Sequence, residues 1–246
     1  MVLRPRHAGL SWFLTAAVLA AACGSGGHAP DGAADGVAAA RPARGGASTP
    51  AATSGGPSGR PRIVVLGDSL TAGLGLPVDE AYPSLLQQDL DQRGLKYEVV
   101  NAGVSGDTSA GGLSRLDWSL QGDVKVLVVA LGGNDALRGL PPSELEGNLA
   151  KIIERAQARG VTVVLAGMEA PPNFGADYTV AFHRVYPELA RRYHLAFVHF
   201  LLDGVAGHPD LNQADGIHPN ARGARIVADN VWSVLGPIAE KQAVHD

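Results

Sequence analysis

The sequence predicts an α/β domain built on an open, largely parallel sheet with helices on both faces. Three observations carry that prediction. Five short runs rich in Val, Ile and Leu recur along the chain, segments of helical period lie between them, and the composition, 46% hydrophobic against 18% charged, supplies ample material for a core. The runs fall at residues 63–66, 97–101, 126–131, 161–166 and 196–200 and lack the in/out alternation of a half-exposed strand, so they read as strands buried on both faces. The first helix is expected over about 83–93. The clearest one begins at Ser143, with Glu146 placed to complete a capping box and Leu145, Leu149, Ile152, Ile153 and Ala156 on one stripe, and it ends at Gly160. A third spans 177–193 with a kink expected at Pro187, and the last covers 220–235. Strand and helix alternate, and right-handed crossovers then place ligands beyond the carboxyl ends of the strands.

The chain is 246 residues long, room for a targeting segment and one domain of ordinary size. Arg4, Arg6 and His7 precede an uncharged stretch over 10–22. That stretch spans roughly 20 Å as a helix, short of the hydrocarbon core, so residues 1–22 read as a signal peptide. Ala20, Ala21 and Ala22 lead into Cys23, the only thiol, in a pattern that resembles a bacterial lipobox, although Leu19 sits one place earlier than such motifs usually carry it. The expectation is an exported lipoprotein, periplasmic or at the cell surface, with Cys23 as lipid attachment site and the membrane reached through that anchor. Residues 23–61, dominated by Gly, Ala, Ser, Thr and Pro, cannot build a core and read as a flexible tether, leaving 62–246 as the folded domain. A net charge of −4 offers no footprint for nucleic acid. One cysteine excludes an intrachain disulfide framework or a multi-cysteine metal site.

Chemistry gathers where the strands end. The first run leads into Gly67-Asp68-Ser69-Leu70, putting a serine on the turn that leaves a buried strand. A serine hydroxyl needs a base, usually a histidine held by a carboxylate. His218 in Asp215-Gly216-Ile217-His218-Pro219 lies after the fifth run and before the last helix. Pro219 biases it away from helical geometry and can open that helix, and Gly216 lets Asp215 curl back onto the imidazole. Taken alone, this spacing also suits a helix cap beside a surface histidine. Asn134, in Gly132-Gly133-Asn134-Asp135 after the third run, and Gly106, in Ser105-Gly106-Asp107-Thr108 after the second, offer N–H donors at the same rim. Each is equally an ordinary turn residue.

Four blocks in order, GDSL at 67–70, SGDTS at 105–109, GGND at 132–135 and DGIHP at 215–219, resemble the SGNH or GDSL hydrolase family, and most of all its bacterial arylesterase, thioesterase I and lysophospholipase subgroup. The likeness covers nearly all of 62–240. It implies a three-layer α/β/α, flavodoxin-like fold and a serine esterase acting on aryl esters, short to medium acyl esters, thioesters or lysophospholipids. It further implies Ser69 as nucleophile, Asp215 and His218 as the other triad members, and the Ser69 amide, Gly106 and Asn134 as oxyanion donors. No cofactor, metal or obligate protein partner is called for. Asp68, Asp107 and Asp135 read as loop-fixing groups, and Tyr178 and Phe182 as core. Leu137 and Leu140, on the loop leaving the third strand, are expected to meet the acyl group. A carbohydrate O-deacetylase of the same fold and a noncatalytic surface binding module are the alternatives.

Overall fold

The structure, a computed structural model, describes residues 59–244. The signal segment, Cys23 and all but the last residues of the expected tether lie outside them.

Five strands form one parallel sheet: β1 (Arg62–Gly67), β2 (Glu98–Gly103), β3 (Val124–Ala130), β4 (Thr162–Ala166) and β5 (Ala196–Val198), in the order β2-β1-β3-β4-β5. This is the order of the flavodoxin-like doubly wound sheet, in which the winding reverses between β1 and β3 and ligands lie at that reversal. The helices are α1 (Ser69–Ala72), α2 (Tyr82–Gln92), α3 (Ser109–Ser114), α4 (Leu116–Ser119), α5 (Gly133–Leu137), α6 (Pro142–Gln157), α7 (Ala176–Arg192) and α8 (Ala221–Ala243). α2 packs against α8, while α6 packs against both α3 and α7, which gives a helical layer on each side of the sheet. Ile63 to Leu66 of β1 and Val126 to Val129 of β3 have no exposed surface, as the unbroken apolar runs require.

Several expectations need correction. β2 and β5 are edge strands and half-exposed, so only the middle three strands are buried on both faces. The open side of β2 is occupied by side chains: Val99 N donates to Gln87 Oε1 at 2.7 Å and Gly103 N to Asn101 Oδ1 at 2.9 Å. The capping box at Ser143 does not form. α6 starts one residue earlier, at Pro142, where the missing N–H costs nothing, and Glu146 pairs instead with Arg192 Nη2 at 2.8 Å. α8 runs past the expected end at 235, through Pro237, to Ala243. Pro219 does not open α8; Asn220 caps it, accepting from Gly223 N at 3.1 Å. Short helices α1, α3, α4 and α5 occupy stretches in which no helix was expected, each less than two turns long and too brief to show a period.

Candidate active site

β1 delivers the chain into the turn that holds Ser69. Asp68 caps α1, its Oδ1 accepting from Leu70 N at 3.0 Å. Ala72 N is bonded to Asp68 O, and Ser69 N, in the first turn, has no intrahelical acceptor. The turn therefore offers both a hydroxyl and an N–H at the end of a buried strand.

The second component arrives on a self-closed loop ahead of α8. Gln213 N bonds to His218 O, Gly216 N to Gln213 O, and Asn212 bridges Pro219 in antiparallel fashion. Inside it Asp215 Oδ1 accepts from the Ile217 and His218 amides at 2.9 and 3.0 Å, and Oδ2 meets His218 Nδ1 at 2.7 Å. Hydrogen bonds from the His218 amide, the His218 ring and the Ile217 amide hold the Asp215 carboxyl down to about 2. A carboxylate that stays ionised only accepts, so Nδ1 carries the ring proton and Nε2 is free to accept. Nε2 lies 2.9 Å from Ser69 Oγ. The structure thus brings Ser69, His218 and Asp215 into one hydrogen-bonded chain across 149 positions of sequence between the serine and the histidine.

Asn134 stands in the first turn of α5, just past β3. The backbone turns into that helix at Gly132, whose φ of 120° suits glycine and where a Cβ would strike the Tyr186 hydroxyl. Asn134 Nδ2 donates to Asp68 Oδ2 at 3.2 Å, leaving its second N–H available. Asp68 is 2% exposed, and burial pushes its carboxyl up to about 6 despite bonds from Leu70 and Asn134. It fixes the amide that flanks the serine as well as the turn itself. Gly106, at φ 83°, lies in the loop after β2, and its carbonyl accepts from Arg138 Nη2 at 2.8 Å.

Two arginines in this scaffold were not singled out from the sequence. Arg138 ties the Gly106 loop to the segment that follows Asn134. Arg115 donates to Asp107 Oδ2 at 2.6 Å, Ala102 O at 2.8 Å and Gly67 O at 2.9 Å, joining the ends of β1 and β2 to the same loop. Nothing in the spacing marks a residue whose partners lie up to 48 positions away. Asp135 receives both the amide and the hydroxyl of Ser109, at 2.8 and 2.6 Å, so Asp107 and Asp135 do fix loops.

A cleft of about 520 Å³ opens beside Ser69 and His218, walled by Leu137, Met168, Pro171, Phe200, Leu202 and Ile217 among others. Leu137 is there as expected. Leu140 is not among the lining residues: the chain turns at Gly139, and Leu140 O accepts from the Tyr178 hydroxyl at 2.9 Å. Phe182 is fully buried, and Tyr178 is half-buried against it. Met168 and Phe200 escaped notice because each follows a strand whose apolar run hides the change from core to wall.

This geometry, a serine–histidine–aspartate chain at the winding reversal of a parallel sheet, has counterparts among known proteins. Residues 65–226 match the model of the GDSL-like lipase/acylhydrolase family. The chain belongs to that family and is a carboxylic ester hydrolase by class. It is 46% identical over 177 residues to esterase TesA of Pseudomonas aeruginosa, covering 72% of this chain and 88% of that one. With thioesterase 1/protease 1/lysophospholipase L1 of Escherichia coli it shares 38% identity over 177 residues, 72% of this chain and 84% of the other. A crystal structure of TesA superposes with a TM-score of 0.69 at 45% identity, covering 72% of this chain and 98% of that structure.

Proposed function

We propose that the chain is a serine esterase of carboxylic esters with an apolar acyl group, working through an acyl-enzyme. The observation that carries the reading is the 2.9 Å approach of His218 Nε2 to Ser69 Oγ, with Asp215 on the far ring nitrogen, at the mouth of an apolar cleft. His218 takes the Ser69 proton as Oγ bonds to the acyl carbon, and the carbonyl oxygen becomes an oxyanion facing Ser69 N–H, Gly106 N–H and Asn134 Nδ2. Asp215 balances the imidazolium. His218 then gives the proton to the departing alkoxide or thiolate as its bond to carbon breaks; a water, deprotonated by the same histidine, next bonds to the acyl carbon, and the Oγ–carbon bond breaks as His218 returns that proton to Ser69, releasing the acid.

Names borne by the relatives, esterase, arylesterase and thioesterase/lysophospholipase, support aryl esters, thioesters and lysophospholipids as the substrate range. Cleft walls of Leu, Met, Phe, Pro and Ile support an acyl chain over a sugar as the group held, which disfavours carbohydrate O-deacetylation. Export and lipidation at Cys23 form part of the proposal on sequence grounds alone: a basic start, a short apolar run and a cysteine after small residues.

Ser69→Ala is the test. Turnover of p-nitrophenyl octanoate should fall by about 10⁴ to 10⁶ with the thermal midpoint retained, because one hydroxyl is all that is lost. Near-normal turnover by a folded Ser69→Ala protein would remove the proposal.

A further inference from the structure

The cleft is lined by carboxylic acids but by no lysine or arginine. Its ionisable lining residues are Asp68, Glu169 and His218. Asp68 is buried and engaged with Leu70 and Asn134, and His218 is taken up by Asp215 and Ser69. Glu169 has a partner too, His183 at 2.7 Å, but is more exposed than either of them. It stands three residues past the end of β4, on a wall otherwise formed by Met168, Ala170, Pro171 and Pro172, with its side chain 40% exposed. Neither Lys nor Arg lines the cleft. The nearby guanidinium of Arg138 is turned onto Gly106 O.

We propose that Glu169 selects substrates by charge, so that among otherwise equal esters the enzyme favours those whose alcohol portion is neutral or cationic near the ester and disfavours those that carry an anion there, such as sulfonated aryl esters. This inference rests on the esterase reading. A carboxylate on a concave, largely apolar wall acts through less water than one on an open surface, and the field it sets up reaches across the opening through which substrate must pass. His183 Nδ1 meets Glu169 Oε1 at 2.7 Å and holds the carboxylate at the lip. Both members of this pair are exposed enough for it to add little to stability.

The test uses the full chain and three octanoyl aryl esters that share one ring: phenyl, 3-trimethylammoniophenyl and 3-sulfophenyl, each rate divided by its alkaline hydrolysis rate. Assays run in mildly alkaline buffer, above the range in which imidazoles ordinarily titrate. The wild-type protein should show kcat/KM for the cation about five-fold above the neutral ester and for the anion about five-fold below it, chiefly in KM. Glu169→Gln should bring the three together and Glu169→Arg should invert their order. Added salt should shrink the wild-type differences. An order that is the same in wild type and Glu169→Arg would overturn the inference while leaving the esterase reading standing, provided that turnover of the neutral ester is lost in Ser69→Ala. Turnover that survives in Ser69→Ala would overturn both.

Discussion

Two aspartates bracket the same serine and histidine, and their surroundings drive them in opposite directions. Asp215 is exposed and bonded three times over, so it stays ionised down to about pH 2, whereas Asp68 is buried and binds its proton up to about pH 6. The signs for stability follow. Asp215, with a folded pKa below its ordinary 3.8, contributes stability that is present above that value and lost as the pH falls through about 2. Asp68, raised from 3.8 to about 6, contributes stability that is present below 3.8 and lost as the pH rises through about 6, worth on the order of 3 kcal/mol. Asp68→Asn keeps the cap on Leu70 but cannot titrate. Its thermal midpoint relative to wild type should therefore climb between about pH 4 and pH 7, and a constant difference over that range would contradict the burial argument. Asp215→Ala should lower turnover by about 10² to 10⁴ at unchanged Ser69, because the imidazole loses its orientation and its counter-charge. Kinetics and melting curves on the two variants separate the roles.

At the scale of elements, the site is held by short helices and by Arg115 more than by long helices. Its guanidinium, 18% exposed, spans Asp107, the end of β2 and the end of β1. Arg115→Met should lower kcat at least ten-fold with KM less affected, since the Gly106 loop loses its fixed distance from Ser69, and should lower stability by about 2–5 kcal/mol. Arg115→Lys should recover little, because an ammonium cannot present three donors in one plane. Equal kcat in all three proteins would show that the loop is held by other bonds. The runs around Ile63, Val126 and Val163 were legible as strands because burial on both faces leaves an unbroken apolar signature. The same signature misled at β2 and β5, where an apolar run ends up at an edge. Ser69, Asp215 and His218 were legible because local motifs of three to five residues build the turns that carry them. Arg115, Arg138, Glu169 and Phe200 were not, since each acts through partners brought close only by the winding of the sheet. The capping box at Ser143 failed because Glu146 found Arg192, a residue on another helix.

For the whole molecule, the order β2-β1-β3-β4-β5 is what makes one site of four distant motifs. Reversal of the winding between β1 and β3 opens a crevice with Ser69 on one side and Asn134 on the other, and α8 returns to place the His218 loop above them. The hydrogen bonds that join Asp68 to Asn134, Ser69 to His218 and His218 to Asp215 run between residues of the described domain. Cys23→Ser should accordingly shift the protein from the membrane fraction to the soluble one while ester turnover per molecule stays the same. Wild-type protein found unlipidated and free of membranes would remove the anchor from the proposal.

The side chains over the open flank of β2 bear on how such a protein survives crowding. An unpaired strand with free amides is a template on which a second copy can add its own, and molecules concentrated at a surface meet often. Gln87 and Asn101 take up the Val99 and Gly103 amides, so two of the N–H groups on which a neighbour would pair are already bonded. Gln87→Val would uncover one of them and add apolar surface beside it. Light scattering of concentrated solutions should then rise faster with time than for wild type, with turnover per folded molecule unaltered, because the flank that polymerises lies on the other side of β1 from the cleft. Two amide side chains stand on the β2 flank where a sixth strand would otherwise take up these amides.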